Sequence, residues 1–338
     1  MKKLFLLLAC VSMSVLSFGQ DNQLVWANGR LLYGTPIESI DSLTYDEMED
    51  VDTLHLLLPR TLIKVVHDTV YIHDTVYVET DCGEDTPSAG IGTFSVSADK
   101  QVTFSKGNLQ YHPANNEWRF AENQTDYIGD ANSNIAANYD GWIDLFCWGT
   151  GDAPTKSSTS SYSDFSTFVD WGTNIIGEDA PNTWRTLSKD EWMYIFYNRP
   201  KAQSLFALGS VNGVNGTIIL PDNWTTPDGV SFVASTTQGL YWDGSYYYNS
   251  NGNNFSHNTY TAEQWQTMEQ AGAVFLPASG SRWGTDVFNI GHSSDYWSST
   301  KVIENNASYY VYFNSDRLCP LYANDRRHGQ SVRLVKDL

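Results

Sequence analysis

Basic clusters are missing from this chain. Lys and Arg total 20 against 39 Asp and Glu, a net charge of −19, so a phosphate backbone would be repelled over most of the surface and nucleic acid is not an expected partner. Long apolar runs are missing as well. Beyond the first residues nothing approaches the ~18 apolar residues of a membrane-spanning helix, and no integral membrane segment is expected in the mature protein. Cysteine is scarce, with four in 338 residues. Setting Cys10 aside leaves Cys82, Cys147 and Cys319, an odd number at separations unlike a disulfide framework or a zinc site. No Ser nucleophile elbow, metalloprotease helix or phosphate-binding loop occurs. The reading therefore assigns no catalytic residue, no metal and no cofactor.

What is present is aromatic: 12 Trp, 20 Tyr and 15 Phe, with 41% hydrophobic residues overall, ample for a sizeable core. Met1-Lys2-Lys3, the apolar segment Leu4–Leu16 and the small residues around Ser17-Phe18-Gly19 form an export signal, with cleavage expected before Gln20. Residues 1–19 are thus a signal peptide. The mature protein belongs in the periplasm, on the outer-membrane surface or outside the cell. Leu7-Leu8-Ala9-Cys10 offers the alternative of lipidation at Cys10.

Leu24 to Tyr33 reads as two strands around Asn28-Gly29, a strong hairpin signal, so residues 20–60 form a small β element. Residues 61–92 read as stalk and linker. They contain the repeat Val66-His-Asp-Thr-Val-Tyr71 and Ile72-His-Asp-Thr-Val-Tyr77, whose even period keeps strand alternation in phase. Asp41-Ser-Leu, Asp52-Thr-Leu, Asp68-Thr-Val and Asp74-Thr-Val match an O-glycosylation pattern of exported bacterial proteins. Gly83, Pro87, Gly90 and Gly92 supply linker chemistry.

The large domain spans residues 93–338. Short alternating runs, 93–98, 101–105, 109–111 and 118–120, predict strands, the last two joined by a turn at Pro113–Asn116. Two helices are predicted. Ser188–Glu191 and Thr261–Gln264 are capping boxes, followed by Trp192, Ile195 and Phe196 and by Trp265 and Met268 at helical spacing, with Gly272 as the second helix's stop. Cys147, between Phe146 and Trp148, reads as a small buried hydrophobe. Long Asn/Gly/Ser/Tyr-rich stretches, 130–140, 155–166 and 242–257, read as loops that carry function or pack over the surface.

The C-terminal region differs in texture. Apolar and turn residues frame it, yet Tyr309–His328 has no strand or helix pattern. Every residue from Ala307 to Gly329 belongs to the set encoded by codons ending in C, and Lys, Glu, Gln, Met and Trp are all missing there. Tyr296-Trp-Ser-Ser-Thr300, Tyr310–Ser315 and Ser331-Val-Arg-Leu-Val335 resemble the frame of the variable proteins of bacterial diversity-generating retroelements. Trp184–Trp192 is similar to the helix-start motif of the formylglycine-generating branch of the same fold. The resemblance covers roughly residues 90 to 338. It implies an α+β, C-type-lectin-like domain with two main helices and many short antiparallel strands, preceded by the small β and stalk region.

It also implies a displayed, hypervariable ligand-binding set: Tyr310, Tyr312, Arg317, Cys319, Leu321, Tyr322, Ala323, Asn324, Asp325, Arg327 and His328. Asn314, Arg326, Gly329, Ser331 and Arg333 match the frame and are expected to be structural. The upstream loop Phe288–Asp295 is expected to join the surface, whose partner would be a protein or a glycan. The catalytic branch's pair of redox cysteines has no counterpart here, since Cys319 stands alone. The calcium-binding triplets of sugar-binding C-type lectins do not occur either. Two alternatives remain: a carbohydrate-active or sulfatase-modifying-like enzyme, for which Asp140, Asp144, Asp164 and Asp170 lie near aromatic residues, and a structural cell-surface protein.

Overall fold

The computed structural model describes strand backbones between residues 23 and 66, and residues 92–338 apart from 250–253 and 304. The chain divides into two units, Met1–Thr86 and Pro87–Leu338. In the first, β1 (Gln23–Ala27) pairs antiparallel with β2 (Arg30–Thr35), Ala27 opposite Arg30, as the Asn-Gly signal requires. A second sheet has the order β3 (Ser42–Leu43), β4 (Thr53–Leu58), β5 (Thr61–Val66). Residues 61–66, within the range expected to be stalk and linker, form β5, which pairs with β4 from Leu58↔Thr61 to Thr53↔Val66 as one apolar-rich run beside another. The signal segment with Cys10, the repeat beyond Val66 and the linker with Cys82 lie outside the described residues.

The second unit is mixed α+β, mostly strands with two short helices. Helix α1 (Lys189–Met193) continues through one wider turn to Asn198. The Ser188 hydroxyl accepts from the Glu191 amide at 3.3 Å and the Glu191 carboxylate accepts from the Ser188 amide at 2.7 Å. Trp192, Ile195 and Phe196 are fully buried. Helix α2 (Ala262–Gln270) repeats the arrangement between Thr261 and Gln264, buries Trp265 and Met268, and stops at Gly272, whose φ of +92° closes the last turn.

Three sheets surround these helices. The first runs β10 (Arg185–Thr186), β22 (Leu334–Asp337), β7 (Gln101–Phe104), β6 (Phe94–Ser95), so the first and last strands of the unit lie in one sheet. The hairpin β8 (Leu109–His112) and β9 (Glu117–Phe120) stands beside it, turning through Asn116 at φ 51°. In the second sheet, β11 (Phe206–Val211) and β12 (Val214–Ile219) meet at Asn212-Gly213, both at positive φ. β15 (Thr259–Tyr260) and β16 (Val274–Pro277) flank this hairpin.

The third sheet has the order β13 (Tyr241–Trp242), β14 (Tyr247–Tyr248), β21 (Arg317–Asp325), β20 (Ala307–Asn314), β19 (Ser293–Lys301). A small hairpin, β17 (Ser281–Trp283) with β18 (Asp286–Phe288), precedes β19. The middle of this sheet is buried on both faces. Tyr296, Val311, Phe313 and Leu318 join the core that holds Trp192 and Phe196. The alternate residues Trp297 and Tyr310 join a second core with Trp118, Phe146 and Trp148. Among the described residues no helix is long and apolar enough to cross a membrane.

Candidate ligand-binding surface

Residues expected to be frame are tied down by bonds that span the unit. The Trp297 indole donates to the Phe146 carbonyl at 2.8 Å, and the Tyr296 hydroxyl to that of Pro277 at 3.1 Å. The Thr300 hydroxyl accepts from the Lys189 amide at the start of α1 at 3.0 Å. Ser331 and Ser294 both bond the Ser279 hydroxyl, at 2.6 and 2.7 Å, inside the core. Arg333 is buried and donates to Gln124 Oε1 at 2.7 Å; loss of water pushes its guanidinium down to about 10. Asn314 Oδ1 accepts from the Arg317 amide at 3.0 Å, closing the β20–β21 turn. Gly329 pairs with Arg282 in a backbone bridge.

These anchors fix β20 and β21, and the pairing register then decides which predicted residues face outward. Two do not. Tyr310 lies opposite Trp297 and Tyr322, is 3% exposed and stands edge-on to both rings, so it is core. Cys319 is 2% exposed, a free thiol pushed up to about 12 by burial. The expectation that these two are displayed is corrected: Tyr310 keeps the same sheet face as Tyr312 but is covered by Trp297 and Tyr322, and Cys319 lies buried opposite Tyr312 on β21. Tyr322 and Ala323 are exposed, and Tyr312, Arg317, Leu321, Asn324, Asp325, Arg327 and His328 are half-buried. Cys147 is buried as expected, its thiol bonding the carbonyls of Lys156 and Arg327 at 3.2 and 3.1 Å.

The exposed side chains are organised by aromatic contacts. Tyr312 and Tyr322 lie 5.7 Å apart at 30°, over the buried Tyr310. Arg317 bonds Asp316 at 3.0 Å, with its guanidinium 5.7 and 5.3 Å from the rings of Tyr246 and Tyr248. Arg327 sits 3.8 Å from the Tyr162 ring and 5.1 Å from that of Trp283, and pairs with Asp325 at 2.9 Å. The Tyr162 hydroxyl donates to Asp325 at 2.7 Å, and the His328 ring rests on Trp283 at 4.5 Å. Burial works to raise the Asp325 carboxyl, but the Arg327 and Tyr162 bonds outweigh it and hold the pKa below the usual carboxylate range.

Beside Tyr312 opens a cleft of about 350 Å³, lined by Asn215, Phe255, Asn289, His292, Ser293, Tyr312, Asn314 and Ser315. The loop before β19 and the β20–β21 turn, both expected at the surface, meet here. A larger groove of about 1000 Å³, bordered by Arg119, Phe120, Tyr127, Trp184 and Glu269, carries none of the predicted residues. No family model, curated protein or solved structure matches this chain.

Several surface residues come from segments the C-terminal pattern did not name. Tyr162, Tyr246 and Tyr248 lie in the long polar stretches 155–166 and 242–257, so loop length was the available signal. Phe255 lies in the second of these stretches as well, whereas Trp283 and Asn215 gave no signal, because only long-range pairing brings them here. The four carboxylates considered for hydrolysis are dispersed. Asp144 accepts from the Ile128 amide and from Asn132, Asp164 from the Ser161 amide, and Asp170 from the amides of Gly172 and Thr186, while Asp140 sits 3.5 Å from His112.

Proposed function

We propose that residues 93–338 are a C-type-lectin-like scaffold of an exported protein that binds a protein or glycan, without chemistry, through the surface around Tyr312, Tyr322, Arg317, Arg327 and His328. The observation that carries this reading is a division of labour within adjacent positions. Arg326 is buried in backbone bonds while Arg327 is held outward between Tyr162 and Trp283. Two short helices against many short strands support the scaffold.

Stacking the displayed rings before a ligand arrives removes much of the ordering entropy that binding would otherwise cost. Tyr and Arg are also the residues that concentrate binding energy at protein surfaces. Residues of the C-ending codon set on such a surface support diversification of the segment by a retroelement.

The test is array binding by the full chain and by the triple variant Tyr312→Ala, Tyr322→Ala, Arg327→Ala, on immobilised glycans and cell-surface proteins. Binding that falls at least about tenfold, with an unchanged melting temperature, supports the reading. Undiminished binding sinks it. A near-identical DNA copy of the segment encoding residues 285–333, differing only at adenines and next to a reverse transcriptase, is the expected genomic companion.

A further inference from the structure

The cleft beside Tyr312 is assembled from four parts of the chain, held in place by hydrogen bonds. Asn215 on β12 donates from Nδ2 to the Gly291 carbonyl at 2.9 Å, pinning the loop before β19. That loop turns at Asn289, whose φ is 59° and whose carbonyl accepts from the amides of His292 and Ser293 at 2.9 and 3.1 Å. Asn314 Oδ1 accepts from the amides of Asp316 and Arg317 at 3.1 and 3.0 Å. The buried Asn254 donates twice to the Ser315 carbonyl, from its amide at 2.8 Å and from Nδ2 at 2.9 Å. Walls fixed in this way form the cleft before any ligand arrives. What those bonds leave over is uncharged. Asn215 keeps Oδ1, Asn314 keeps Nδ2, and the side chains of Asn289, His292, Ser293 and Ser315 have no hydrogen-bond partner among the described residues. No Lys, Arg, Asp or Glu lines the cleft, in a chain whose net charge is −19. An apolar occupant would strip water from these polar groups and return no bond. A carboxylate or ammonium occupant would find no permanent counter-ion.

We infer that this cleft takes the end of an uncharged glycan, one or two pyranose units, by direct hydrogen bonds and without a metal ion. The inference rests on the reading of the Tyr312–Tyr322 surface as a ligand-binding site and chooses between its two ligand classes. A sugar hydroxyl both donates and accepts, which matches a lining of amides, hydroxyls and one imidazole. The apolar C–H face of the sugar ring packs on an aromatic ring, here the half-buried Tyr312. Tyr322, 52% exposed and 5.7 Å from Tyr312, continues the aromatic surface outside the cleft, where the next sugar of a chain would lie. The volume of about 350 Å³ is at the small end of ligand sites, suited to a chain end and not to a large ligand. Calcium would find no carboxylate ligand in the cleft, so the protein's own amides and hydroxyls hold the sugar.

The experiment titrates the full chain, labelled with 15N at its side-chain amides, with the methyl pyranosides of glucose, galactose, mannose and N-acetylglucosamine. Nα-acetyl-asparagine methylamide is the peptide control. At least one pyranoside is expected to shift the Nδ2 signals of Asn215, Asn289 and Asn314 with a Kd on the order of 1 mM, unchanged by EDTA. The peptide control should leave those signals in place. His292→Ala combined with Ser315→Ala removes two side chains that make no hydrogen bond within the described residues, so the fold should be kept while affinity falls about tenfold. The titration of the unaltered chain decides the matter even if that variant folds poorly. Signals unmoved by all four pyranosides, equal shifts with the peptide control, loss of the shifts in EDTA, or unchanged affinity in the double variant each overturn the inference. The wider surface is judged separately: binding lost in the triple variant on the arrays, with no sugar shift here, keeps that surface and makes its ligand a protein.

Discussion

Arg326 and Arg327 are adjacent and chemically identical, yet they do opposite things. Arg326 spreads its guanidinium 4.9 Å over the Trp148 ring and donates to Ala307 O at 3.2 Å, Ser308 Oγ at 3.1 Å, Phe165 O at 3.2 Å and Asn305 O at 3.1 Å. Arg326→Ala leaves those acceptors short of a donor within the protein, and about 2–4 kcal/mol of stability should be lost. Arg327→Ala removes a solvent-facing stack and a surface ion pair, which is worth less than about 1 kcal/mol. Urea denaturation of the two variants measures the difference. Equal losses would contradict the division into frame and display. That an Arg belonged to the frame was legible only through resemblance, since nothing local separates Arg326 from Arg327.

Elements differ in how locally they are written. The α1 cap is entirely local: Ser188→Ala should cost about 1 kcal/mol, and Ser188→Thr should restore most of it. Thermal melts of the pair decide this. Asn212-Gly213 is equally local, an Asn-Gly pair at positive φ joining two strands. At φ +82° with nothing within 4 Å of an added Cβ, Gly213→Ala pays the conformational cost alone, about 1 kcal/mol. Gly172→Ala would put its Cβ 1.8 Å from the Trp184 carbonyl and should be far more damaging. A Gly213 loss as large as that of Gly172 would mean the turn assignment is wrong. The third sheet is written differently. Its strands pair residues spread from Tyr241 to Asp325, and both faces are covered over the middle, so the polar–apolar alternation that usually betrays a strand is absent.

At the scale of the whole molecule, two buried carboxyls give folding a pH dependence. Burial raises Asp144 to about 6, against the bonds from Asn132 and Ile128, and raises Asp295 to about 7, against the bond from Ser281. Both exceed the value near 3.9 of an unfolded Asp, so the folded chain holds protons that the unfolded chain has released. Their contribution to stability is fully present below about pH 4 and is lost as pH rises through 6 and 7. Asp295→Asn should therefore flatten the fall in stability between about pH 4 and 7, by up to about 4 kcal/mol over three pKa units. Urea midpoints at several pH values, variant against wild type, measure it; parallel curves would show that Asp295 does not titrate as described.

By itself the sequence determined what short-range chemistry can determine. Both helix starts, the stop at Gly272, the Asn28-Gly29 hairpin and the burial of Cys147 follow from side chains within a few residues of one another. It also marked the stretch from Ala307 to Gly329 as unlike its surroundings. Only the tertiary structure decided which members of that stretch reach solvent, withdrawing Tyr310 and Cys319, and which residues from elsewhere join them, Tyr162 and Trp283 among these. The reason is long-range packing. Tyr310 and Tyr312 share one face of β20, yet Trp297 and Tyr322 together cover only the first, and the pairing slips by one residue on β21 between Cys319 and Tyr322, a choice fixed by partners on other strands rather than by neighbours in the chain.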